Sequence, residues 1–92
     1  MSPAPRSRKK PKEIDRPFEA RLLRRARKIA DRYRIVIWSE QGEFYGRGLE
    51  LPLVMGDGKT AGRCVKNTRE ALTVVVAYML EEGTSPPTPA SD

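Results

Sequence analysis

Apolar and polar positions change rhythm several times along the 92-residue chain, and each change marks an element. Residues 1–14 show no apolar period; MSPAPRSRKKPK carries three prolines and five basic side chains. Nothing in that stretch can build a core, so a disordered basic arm is predicted. From Asp15 to Arg32 the pattern becomes helical. Phe18, Leu22, Ala26 and Ile29 fall on one stripe, with Leu23 and Ala30 beside it. Asp15 can cap this helix, Pro17 fits its first turn and Glu19 suits its N-terminal end. Arg21, Arg24, Arg25, Arg27, Lys28 and Arg32 cover much of the remaining surface.

At Tyr33 the period shortens to two. Tyr33, Ile35 and Ile37 share one face of a strand, and Arg34, Val36 and Trp38 the other. Apolar residues on both faces predict a central strand, or one covered by a helix on one side and a partner on the other. Glu40-Gln41-Gly42-Glu43 reads as a turn with Gly42 at positive φ. Phe44 to Leu49 returns antiparallel, with Phe44, Gly46 and Gly48 opposite Tyr45, Arg47 and Leu49. Pro52 makes a corner, Leu53 to Met55 a short third strand, and Gly56 to Lys59 a tight turn.

A second helix is predicted from Ala61 to Glu82, capped by Thr60 and stopped by Gly83. Val65, Leu72, Val75, Val76, Met79 and Leu80 form its core stripe, helped by Cys64, Thr68 and Ala71. Lys66, Asn67, Arg69, Glu70, Thr73 and Glu81 are expected to face water. The Pro-rich residues 84–92 form a tail that could add a fourth edge strand. The class is therefore α+β: a basic N-terminal helix (15–32), then a β-β-β-α module (33–83) with one helix packed on a small antiparallel sheet.

Composition narrows the chemistry. There is no histidine and a single cysteine, Cys64. The commonest general base and zinc ligand are thereby missing, and no disulfide framework can form. No carboxylate pair converges in the pattern, so the expectation is a protein without enzymatic activity, metal or cofactor. No apolar run reaches the roughly 18 residues of a membrane span, and no hydrophobic segment follows the basic start. Together with the lone cysteine, this points to a cytoplasmic protein without membrane contact. So small a core gains from added burial, which makes a homodimer the expected state.

Charge divides the chain. Residues 1–34 hold 13 Lys/Arg against 4 Asp/Glu, a net +9; residues 35–92 hold 5 against 8, a net −3. Arg6, Arg8, Lys9 and Lys10 in the arm and Arg21, Arg24, Arg25 and Lys28 on the helix are candidate contacts to DNA or RNA phosphates. The plain alternative is a solubilising tail and a solvated helix face. Gly56-Asp57-Gly58-Lys59 lacks the spacing of a phosphate loop.

The ordered stretch resembles the HicB-like antitoxin family, the antitoxin half of HicA–HicB toxin–antitoxin pairs. The resemblance is carried by Tyr33, Gly42 with Phe44 and Tyr45, Leu51-Pro52, Gly56-Asp57, Asn67 and Glu70-Ala71-Leu72, in that order. It departs from the family where Leu53 follows Pro52, where Gly58 and Lys59 precede Thr60, and where Gly62-Arg63-Cys64 opens the helix. It implies a partial ribonuclease-H-like fold without catalytic residues, which binds a small basic ribonuclease (HicA-like) and covers its RNA-cleaving surface. No helix-turn-helix or ribbon follows the module, so autorepression through such a domain is not expected. Trp38, Tyr45 and Arg47 are the candidate anchors for that partner, being aromatic or guanidinium side chains of the hot-spot kind. Ordinary core packing is the alternative for the two aromatics. The second functional reading is a nucleic-acid-binding protein that works through its basic arm and helix.

Overall fold

The computed structural model describes residues 18–89. Its elements are α1 (Ala20–Ala30), β1 (Ile35–Glu40), β2 (Glu43–Gly48), β3 (Met55–Gly58) and α2 (Ala61–Glu81). The class is α+β, with three antiparallel strands in the order β1-β2-β3. The proposed arm, the Asp15 cap and Pro17 lie outside the described residues, as do Arg6, Arg8, Lys9 and Lys10.

The hairpin forms where the sequence places it. Gln41 and Gly42 both adopt positive φ, 51° and 81°. Two such residues twist the chain in the sense that matches the strands they join. Glu40 then faces Glu43, Trp38 faces Tyr45 and Ile37 faces Gly46. On the far side Gly46 faces Gly56, and Tyr45 faces Asp57. One face of the sheet thus carries Ile35 and Ile37 with four glycines, Gly46, Gly48, Gly56 and Gly58.

α2 lies on that face, and the glycines explain how closely. A Cβ on Gly56 would stand 2.6 Å from Thr68 Oγ1 and 2.8 Å from the Thr68 backbone nitrogen. On Gly58 it would stand 2.6 Å from the Cys64 nitrogen. Two backbones meet here without side chains between them. Thr60 caps α2 as the sequence predicts, its hydroxyl accepting the Arg63 N–H at 3.1 Å. Cys64, Thr68, Leu72, Thr73, Val76 and Ala77 are buried along the helix. Burial of side chains such as Leu72 and Val76 stabilises the fold by about 1.5–3 kcal/mol each.

α1 packs against α2 and touches no strand. Ala26 and Ala30 are fully buried in a cluster with Tyr33, Leu72, Val76 and Ala77. At one end Phe18 meets Tyr78 edge to face, with centroids 5.2 Å apart. At the other, Arg69 Nη1 donates to the carbonyls of Ala30 (2.9 Å) and Tyr33 (2.8 Å). The Ala30 carbonyl also accepts the Tyr33 N–H at 3.0 Å, so Arg69 adds a charged donor to the turn that closes α1 and ties that turn to α2.

Several expectations are corrected. β1 is an edge strand, not the central one; β2 takes that place. The third strand is Met55–Gly58 rather than Leu53 to Met55, and the predicted Gly56–Lys59 turn is mostly strand. The Val54 N–H closes a turn onto the Leu51 carbonyl, which leaves Leu53 97 % exposed. Glycine here serves close approach to α2, not chain reversal. Arg69 is half-buried and Thr73 buried, because α1 packs on that side of α2; the Thr73 hydroxyl bonds back to the Arg69 carbonyl. Glu19 holds the N-cap position of α1, without a side-chain capping bond. Residues 84–89 form no fourth strand. Instead the Tyr33 hydroxyl donates to the Pro87 carbonyl at 2.6 Å and pins the tail. Burial, aided by the charge of Glu50, raises the Tyr33 pKa above its ordinary value.

The two sheet edges differ. The Gly48 N–H bonds the Val54 carbonyl, so even positions of β2 point to β3 and odd ones to β1. The polar backbone groups of Asp57 therefore point outward from β3, and Asn67 Nδ2 on α2 donates to the Asp57 carbonyl at 2.8 Å. By the same alternation Ile35, Ile37 and Ser39 turn their N–H and C=O groups outward from β1, where no described element covers them.

Candidate partner-binding face and basic groove

Alternation puts Val36, Trp38, Tyr45, Arg47 and Met55 on the face away from α2. Val36, Arg47 and Met55 form one cross-strand row, and Trp38, Tyr45 and Asp57 the next. Trp38 and Tyr45 stack with centroids 6.0 Å apart and planes 28° from parallel. Being directly opposite on neighbouring strands, they hold one another's rotamer. Val36 is 41 % and Met55 53 % exposed, and Trp38 and Tyr45 are half-buried. Tyr45, Met55, Gly56 and Asp57 line a shallow hollow of about 300 Å³.

The rim of this face is polar. Lys59 Nζ pairs with Glu43 at 2.9 Å, and that hydrogen bond and charge raise the Lys59 pKa. Glu40 and Asp57 stand exposed at its margins. An apolar centre of stacked aromatics and Met inside a charged margin is the anatomy of a protein-contact surface. All three sequence-named anchors, Trp38, Tyr45 and Arg47, lie together on it. Val36, Met55 and Asp57 were not named; Val36 shares the parity of Trp38 and could have been, whereas Met55 and Asp57 required the true position of β3.

A second surface gathers Arg21, Arg24, Arg25 and Lys28. The four line one groove of about 250 Å³ on α1. Arg25 also borders a hollow with Leu80 and residues 83–86. The groove and the sheet face share no residue.

Among the described residues no three His, Cys, Asp or Glu side chains stand close enough to hold a metal ion. Cys64 is a free, buried thiol beneath Gly46. No helix among these residues is long and apolar enough to cross a membrane.

The fold is a small α+β module with one sheet face that no described element covers. No family model matches the chain. No curated protein matches it. Among solved structures it is similar to the crystal structure of TTHA0281 from Thermus thermophilus, with a TM-score of 0.53 and 28 % sequence identity. The match spans 72 % of this chain and 83 % of that one.

Proposed function

We propose that this chain is a non-catalytic HicB-like antitoxin, which docks its open sheet face on a small basic ribonuclease and covers the RNA-cleaving surface. The observation that carries the reading is the Trp38–Tyr45 stack on a face that no described element covers. A stacked pair in a fixed rotamer loses little side-chain entropy on binding, and buried aromatic anchors contribute about 2 kcal/mol or more each. The net −3 of residues 35–92 suits a cationic partner. The residues that carry the family resemblance also meet in space: Asn67 bonds the carbonyl of Asp57, and Leu72 and Tyr33 share one buried cluster.

The test is isolation of the tagged chain from its host after nuclease treatment, followed by reconstitution with the recovered partner. A small basic protein should be retained, it should cleave RNA alone, and an equimolar amount of this chain should stop cleavage. The Trp38→Ser/Tyr45→Ser variant should bind it several hundredfold more weakly, from two lost anchors of about 2 kcal/mol each. Continued cleavage at saturating chain would reject the reading.

A further inference from the structure

α1 has two unlike sides. Its apolar side is spent on α2: Ala26 and Ala30 are fully buried, and Leu22, Leu23 and Ile29 pack around them. Its other side carries Arg21, Arg24, Arg25 and Lys28 in one groove. Their spacing is that of a single helical face over two turns, about 10 Å long at 1.5 Å per residue. No Asp or Glu lies between Ala20 and Ala30. Like charges three and four residues apart repel and weaken a helix, so an anion laid along this face would stabilise it.

We propose that the outward face of α1 is a binding site for the phosphodiester backbone of nucleic acid, separate from the partner-binding sheet face. Guanidinium groups grip phosphate oxygens in pairs, and three of the four cations are Arg. One strand of a duplex presents one charge per about 3.4 Å of axis, a spacing that four cations along a stripe of about 10 Å match. Exposed Thr84 and Ser85 border the hollow beside Arg25 and add neutral donors at its margin. A lipid surface fits less well, because the apolar side that would insert is already packed. The helix has no Asn or Gln, so the site positions the nucleic acid without reading adenine by that route.

The experiment measures fluorescence anisotropy of the full chain with short labelled DNA duplex, RNA duplex and each single strand, between about 50 and about 200 mM salt. Two variants accompany it, each removing four positive charges. One changes Arg21, Arg24, Arg25 and Lys28 to Gln; the other changes Arg6, Arg8, Lys9 and Lys10 to Gln. Circular dichroism confirms that both keep their helix content. The groove variant is expected to lose at least tenfold in affinity, and the slope of log K against log salt on duplex should shrink by about 3 to 4. The probe most affected by the groove variant identifies DNA or RNA, duplex or single strand, as the source. Absence of binding to every probe would overturn the proposal. So would an unchanged slope in the groove variant while the arm variant loses binding. Displacement of the probe by polyglutamate as readily as by unlabelled nucleic acid would also overturn it, and assign the groove to an acidic protein.

Discussion

The two faces of the sheet are made by alternate residues of the same three strands, yet they follow opposite rules. Towards α2 the strands offer Gly46, Gly48, Gly56 and Gly58, and the helix backbone settles onto them. Away from α2 they offer Val36, Trp38, Tyr45, Arg47 and Met55, and no described element covers them. On the covered face glycine stands where the helix backbone is closest, on β2 and β3, while Ile35, Ile37 and Phe44 flank that contact. The open face has no helix above it, and its strands carry side chains of full size. Side-chain size along a strand thus reports the distance to whatever lies above it.

The contrast breaks most sharply at Gly56. Gly56→Val should destabilise the fold by about 3 kcal/mol or more, because the added carbons meet the Thr68 backbone, which cannot swing aside. Urea denaturation measures it, and a change below about 1 kcal/mol would mean that α2 rides higher than described. Arg69→Met should cost about 2 kcal/mol in the same assay, since two carbonyls at the end of α1 lose a charged donor. Arg69→Lys should recover only part, because its ammonium sits on a shorter stem than the Nη1 that reaches both carbonyls.

A smaller effect is expected at Tyr33. Tyr33→Phe should cost about 1 kcal/mol through its bond to Pro87. The folded-state pKa of Tyr33 lies above the ordinary 10.0. Its contribution is therefore complete below that value and is lost as pH rises through the folded pKa. The gap between wild type and Tyr33→Phe in thermal denaturation should accordingly close at strongly alkaline pH. On the open face the expected change is least. Trp38→Ser and Tyr45→Ser should each alter stability by less than about 1 kcal/mol, their rings being half-buried and resting chiefly on each other. A large loss at either position would assign the stack to the core rather than to a partner.

Much of this was legible in the residues. The hairpin followed from Gln41-Gly42 between alternating strands, and the α2 cap from Thr60, because turn and cap chemistry are local. The co-location of Trp38, Tyr45 and Arg47 followed from strand parity once the hairpin register was set. What failed was non-local. Gly56 and Gly58 looked like a turn because close helix approach leaves the same glycine signature as chain reversal. Arg69 and Thr73 looked solvated because nothing along α2 announces that α1 packs there. β1 looked central because an uncovered apolar face and a doubly covered one read alike in a single sequence.

Asn67, by taking the outward carbonyl of Asp57, makes the sheet one-handed in its capacity to grow. The β1 side offers the longer outward row, Ile35, Ile37 and Ser39, against Met55 and the Asp57 N–H on the β3 side. Two copies joined through that row would use up the vacancy of both, so such a pairing terminates itself. A module of this size that leaves apolar residues exposed would otherwise risk open-ended stacking.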